Sequence, residues 1–311
     1  MPIPTSKPLS LSAVQTEYGG TNPISMSEYR GLGNAPASGA IDLWGDFNGT
    51  ANEVAITATG GSISDSGGYR YHTFTSGGTF TVTGEGIGSG FTTLDILVVG
   101  AGGSPSTSYL RGGGGGGVQT ATITPAISET FVCTVAPSSS GSDGGSSYVT
   151  CSNTSHSIHN AIAGGGSNLG SSGSPQSNAR GSTVSYVSGA YTYDLHGGGG
   201  GAGGTGGVGG GSGSYYYAGN GGSGYLWLDG NRYGGGGGGS SEGPSAGDLS
   251  TTVIAGSGTH GGGNGYRKQY QIAGSNASFY GGGGGGSYPG YPNNGPYIGY
   301  QGVVIFRYKI A

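Results

Sequence analysis

Residues 94–99 read Leu-Asp-Ile-Leu-Val-Val and residues 303–308 read Val-Val-Ile-Phe-Arg-Tyr, each almost unbroken in apolar side chains. Runs this short, rich in β-branched and aromatic residues, predict strands rather than helices. Shorter runs of the same kind lie at 54–56, 79–83, 120–124, 130–135, 148–151 and 184–187. After residue 50 no stretch repeats apolar groups at helical spacing over ten or more positions, so the body, 51–311, is expected to be all-β. Its closing strand, 302–309, is too apolar for an edge and should lie centrally, with the chain's end returning to pair near the beginning of the body.

The first fifty residues follow a different pattern. Pro8-Leu9-Ser10-Leu11-Ser12, Pro23-Ile24-Ser25-Met26-Ser27 and Ala40-Ile41-Asp42-Leu43-Trp44 share a small residue or Pro, an apolar residue, Ser or Asp, then another apolar residue. Each is followed by an aromatic and a glycine: Tyr18-Gly19, Tyr29 to Gly31, and Phe47 to Gly49. Ser12 with Gln15, and Ser25 with Glu28, fit capping boxes that open short helical turns, which the glycines then close. So few large apolar groups are not expected to form a core of their own; docking on another protein through Leu9, Leu11, Ile24, Met26, Tyr29, Ile41, Leu43 and Trp44 would supply one.

Composition changes the picture of the body. Glycine is 79 of 311 residues, and long runs occupy 112–117, 197–201, 234–239 and 281–286. Such runs are disordered or tightly stacked, and a chain only 8% charged with 22 tyrosines favours order. Collagen is excluded because the glycines are consecutive rather than every third residue. The expectation is a lattice of extended three-residue-per-turn polyglycine II helices bonding N–H to C=O between segments. The flanking rings, Tyr109, Tyr191, Tyr193, Tyr233, Phe279 and Tyr280, would cover it. The whole is then a short-strand β-sandwich-like body with stacked polyglycine helices, preceded by a small attachment region.

These residues carry a resemblance. Thr79-Phe80-Thr81-Val82, then 94–103 ending in Gly100-Ala101-Gly102-Gly103, the glycine runs and the closing 302–308 resemble the glycine-rich domain common in bacteriophage virion proteins. Residues 22–29 and 37–43 resemble the short leader of many phage tail and minor virion proteins. The body is also similar to adhesins capping the long tail fibres of some T-even-like phages, which implies stacked polyglycine helices presenting variable receptor-binding loops. The leader is a departure from those adhesins.

Enzyme chemistry finds little support. Gly100-x-Gly102 follows an apolar strand, but Pro105 stands where a dinucleotide-binding turn needs its third glycine. The glycine runs lack the Gly-Lys-Ser/Thr end of a phosphate loop, since Gly117 is followed by Val118-Gln119. The acids are scattered, His156 and His159 alone do not make a metal site and fit an exposed loop, and Cys133 and Cys151 are expected as buried thiols. No cofactor is implied. A net charge of −4 offers no basic face for nucleic acid, and neither a signal peptide nor a membrane span is recognisable.

Aromatic loops between the runs are the better functional candidates: Tyr215-Tyr216-Tyr217, Tyr225-Leu226-Trp227-Leu228 with Tyr225 and Trp227 as its rings, and 288–297 with Tyr288, Tyr291 and Tyr297. The expected function is a phage adhesin exposed on the virion, joined to other virion proteins through residues 1–50 and binding a host glycan or outer-membrane protein, with homo-oligomers allowed. The alternative is a purely architectural virion component.

Overall fold

Alternate side chains of the closing strand, Val303–Lys309, enter two different cores, which explains why it is apolar along its length. In this computed structural model the described residues are 10–20, 25–38, 40–47, 53–105, 110–153, 155–156, 160–163, 172–173, 178–188, 191–243, 251–288 and 297–311. Nine strands and the closing one make up two five-stranded sheets: β1 (Thr57–Thr59), β2 (Ser62–Ser66), β3 (Tyr69–Phe74), β4 (Gly78–Gly84), β5 (Leu94–Val99), β6 (Val118–Ile123), β7 (Thr130–Thr134), β8 (Ser147–Cys151) and β9 (Asn160–Ala163). One sheet runs β1-β4-β7-β8-β9, the other β2-β3-closing strand-β5-β6, and every pairing in both is antiparallel. The closing strand is therefore central, as its composition predicts.

The two sheets pack as a sandwich. Phe80, Val82, Phe131, Cys133, Val149 and Cys151 of the first meet Phe74, Leu94, Ile96, Val98, Val304 and Phe306 of the second. Phe306 stacks on Phe80 with centroids 4.2 Å apart and Phe131 lies 5.5 Å away, so three rings join the sheets near the middle. The other face of the second sheet presents Leu97, Val99, Val118, Val303 and Ile305 to Ala202, Trp227 and Tyr233 of the glycine-rich segments. A sheet covered on both sides reads as continuous apolar sequence rather than alternating sequence.

The glycine runs form the third layer. From 236 to 241 every third N–H addresses the same neighbour: Gly236 and Gly239 donate to Gly222 and Gly219, Gly237 and Ser240 to Gly113 and Leu110, Gly238 and Ser241 to Gly263 and Tyr266. The carbonyls repeat likewise, with Gly234, Gly237 and Ser240 accepting from Ala202, Gly199 and His196, Gly236 and Gly239 from Thr259 and Gly256, and Gly235 and Gly238 from Gly283 and Gly286. Three segments receive and three others give, which is the hexagonal packing that a three-residue-per-turn polyglycine helix permits. Side chains cannot enter: a Cβ built at Gly236, Gly237 or Gly238 would overlap the carbonyl oxygen of Gly199, Gly284 or Gly256. The runs are buried, and most of their N–H groups donate to backbone carbonyls.

Several details depart from expectation. The strand near 54–56 begins at Thr57, and Val54 makes only an isolated bridge to Ile87. The hairpin of β2 and β3, joined by Gly67-Gly68 at φ 58° and 79°, is absent from the apolar pattern because β2 is wholly exposed. In the leader, helix α1 (Leu11–Tyr18) is capped by Ser10, not Ser12, whose side chain accepts from the Ala13 N–H; Ser25 caps the 3-10 turn Met26–Tyr29. Contrary to the expectation that another protein must supply its core, the leader closes on itself. Val14, Tyr29, Ala35 and Phe47, the last from α2 (Leu43–Phe47), are all buried together, and Tyr29 and Tyr18 meet the Phe47 ring edge-on.

Candidate functional site

A lattice without side chains offers few groups to a ligand, so the side chains that could meet one lie on the chain that leaves it. The most developed departure is the hairpin of Tyr225–Leu226 and Arg232–Tyr233. Its turn forms because Gly230 accepts φ 82°, allowing its N–H to reach the Trp227 carbonyl, while Asp229 receives the N–H and side-chain amide of Asn231. The Tyr233 hydroxyl donates to Asp229 at 2.6 Å, and burial pushes its pKa up, which keeps the phenol a neutral donor. Trp227 is the anchor, 6% exposed against the second sheet, whereas Leu226 and Leu228 project at 53% and 56%.

Grooves flank this hairpin on both sides. One, of about 310 Å³, runs between Tyr225–Leu228 and residues 120–122 of β6. The other, of about 380 Å³, is bounded by Ser64 and Ser66 of β2, Tyr71, Asp229, Asn231 and Tyr280. Ring faces beside a carboxylate, an amide and hydroxyls can stack on and hydrogen-bond to a polyhydroxylated ligand.

The tyrosine clusters divide by burial. Tyr215 and Tyr217 are half-exposed on a short strand, but Tyr216 between them turns inward and stacks on Tyr193 with centroids 4.3 Å apart. Tyr225 is partly exposed; Tyr288 is partly exposed, stacked near Tyr266 and hydrogen-bonded by Lys268. Tyr297 is buried, its hydroxyl accepting the Gly274 N–H. Tyr216, Trp227 and Tyr297 are thus corrected from contact residues to core: the glycine layer contributes almost no apolar side chains, and these rings supply them. Tyr291 lies outside the described residues.

Of the docking candidates, Leu9 and Ile24 lie outside the described residues, as does the side chain of Trp44. Leu11 is partly exposed; Met26, Ile41 and Leu43 pack against the leader's core with part of their surface open. Tyr29, 1% exposed, is that core's centre and presents no ring to a partner in this conformation.

The family model of the glycine-rich domain matches residues 75–309, from just before β4 through the closing strand. The chain belongs to the glycine-rich domain family. A search of the curated proteins finds no match. The glycine-rich domain so defined leaves out β1 to β3, although β3 pairs with the closing strand along six positions, from Val304↔Phe74 to Lys309↔Tyr69.

Leu226 and Leu228 belong to the aromatic loop read from the sequence, but Asp229 and Asn231 were not anticipated, although the Asp229-Gly230 pair was a hairpin signal. Sequence reasoning also misplaced His156, expected in an exposed loop, whose ring is 15% exposed and lies 2.8 Å from the Glu129 carboxylate. His159 is outside the described residues.

Proposed function

We propose that this chain is a bacteriophage virion protein that acts as an adhesin, with residues 1–50 joining the particle and the loops of the glycine-rich body meeting a host surface glycan or outer-membrane protein. The observation that carries the reading is the combination of a side-chain-free lattice bonded backbone to backbone with an apolar-tipped hairpin anchored on it by Trp227. A lattice of this kind fixes loop positions without constraining loop sequence, so recognition can change while the scaffold stays. The Leu226 and Leu228 tips and the half-exposed Tyr215 and Tyr217 provide apolar and amphipathic contact area. The self-contained cluster of the leader supports a separate attachment role.

The inward placement of Tyr216, Trp227 and Tyr297 favours a second reading, a purely architectural virion component in which aromatics serve only the core. Purified protein applied to susceptible cells separates the two. An adhesin binds the cells and competes with infection, and Leu226→Asp with Leu228→Asp weakens both at unchanged Tm. Absence of cell binding and of competition, with the protein found only on the capsid, defeats the adhesin reading.

A further inference from the structure

Away from the hairpin, three side chains from separate parts of the sandwich converge at one end of the first sheet. Glu129 precedes β7, Cys151 ends β8, and His156 follows on the next turn. A carboxylate oxygen, the thiol sulfur and a ring nitrogen lie within 4.8 Å of one another. Cys151 Sγ is 2.8 Å from Glu129 Oε1, and His156 Nε2 is 2.8 Å from the same oxygen. Glu129 and Cys151 are buried, while His156 borders solvent.

The surroundings hold these atoms in place. The Ala126 N–H donates to Glu129 Oε2 at 2.9 Å, and the turn that aims the carboxylate inward places Ser128 at φ 65°, an unusual conformation for a side chain-bearing residue. The Asn153 N–H approaches Cys151 Sγ at 3.4 Å, and the Asn153 side chain accepts from the Ser155 N–H in the turn that delivers His156. Outer contacts of this sort orient metal ligands.

We propose that Glu129, Cys151 and His156 bind a divalent cation of borderline softness, Zn²⁺ being the natural choice. One carboxylate oxygen, one sulfur and one imidazole nitrogen form a ligand set that zinc accepts with an open fourth position, here on the solvent side of His156. Charge favours the assignment, since thiolate, carboxylate and Zn²⁺ sum to zero in a largely buried place. Binding replaces the thiol proton that Glu129 now accepts, and releases it to solvent. Zinc–ligand bonds of about 2.0–2.3 Å require the 2.8 Å contacts to open by only about 1 Å. The metal would tie the loop after β8 to the turn before β7, independently of whether the body binds a host receptor.

The test uses the full chain, stripped with a chelator and titrated with Co²⁺ as a spectroscopic probe, followed by Zn²⁺ displacement. One equivalent of Co²⁺ should give tetrahedral ligand-field bands and a thiolate-to-cobalt charge-transfer band, both erased by Zn²⁺. Cys151→Ser should remove the charge-transfer band, Glu129→Gln and His156→Gln should weaken binding by about 100-fold or more, and Cys133→Ala should leave it intact. Circular dichroism checks that each variant is folded; His156→Gln, at the partly exposed ligand, serves if Cys151→Ser unfolds. A wild-type chain without the charge-transfer band, or a band that survives Cys151→Ser, overturns the proposal and leaves a hydrogen-bonded cluster only.

Discussion

At the scale of single residues, glycine is required here by its neighbours more than by its own backbone freedom. A Cβ at Gly236 would overlap the Gly199 carbonyl, backbone against backbone, in the middle of the lattice. Gly236→Ala should therefore destabilise by about 3 kcal/mol, the upper range of overpacking, and Gly236→Val by more. Gly213, at φ 63° with nothing within 4 Å of a built Cβ, should lose only about 1 kcal/mol as Ala, from strain alone. Thermal melts of the pair decide it: equal, small losses would mean that the runs are not stacked. His196, beside Gly197 at the lattice margin, gives a pH dependence. Burial, reinforced by Arg111 and opposed by Asp194, pushes its pKa from the ordinary 6.5 to about 4. The unfolded chain then takes up the proton first, so stability is full above pH 6.5 and is lost as pH falls toward 4, by up to about 3 kcal/mol. Buried His72, also shifted downward by desolvation, adds in the same direction; Glu242, whose pKa burial raises, offsets part of the loss. His196→Gln should flatten the slope of Tm against pH between 6.5 and 4, and an unchanged slope would remove His196 as its source.

At the scale of elements, the closing strand unites sandwich and lattice, so its ring residues should matter most. Phe306→Ala removes a side chain stacked on Phe80 and flanked by Phe131 and Phe74, with an expected loss of about 3–5 kcal/mol in chemical denaturation. Val187→Ala, at a residue 76% exposed, should stay within about 0.5 kcal/mol. The central position of this strand was legible because burial on both faces leaves a continuous apolar run, and β5 was legible to the residue for the same reason. β2 was not, because Ser62–Ser66 is an exposed edge whose pairing comes from the Gly67-Gly68 turn rather than from any buried face. The lattice could be anticipated from glycine runs and rings, but not which runs touch, since identical glycines carry no partner code. The same gap hid the candidate sites. Tyr215, Tyr216 and Tyr217 look alike in sequence, yet strand alternation sends the middle one inward, and Glu129 meets Cys151 only through the pairing of β7 with β8.

At the scale of the whole molecule, apolar burial falls into clusters that divide along the chain. Val14, Tyr29, Ala35 and Phe47 belong to the leader, whereas the sandwich, sheet–lattice and Tyr193–Tyr216 clusters draw only on residues from Ile56 onward. Removing residues 1–50 therefore deletes one small core and no member of the others. Hydrophobic stabilisation follows the area each cluster buries, so the shortened chain 51–311 should keep the Tm of the main calorimetric transition and lose only a weak, low-temperature one. Under the adhesin reading it should also keep binding cells while failing to enter particles, because attachment and recognition then lie on different clusters. A large fall in the main transition would show that the leader packs into the body, and the leader could not then serve as a separable attachment module. Retained Tm with normal incorporation would instead move the attachment surface onto the glycine-rich body.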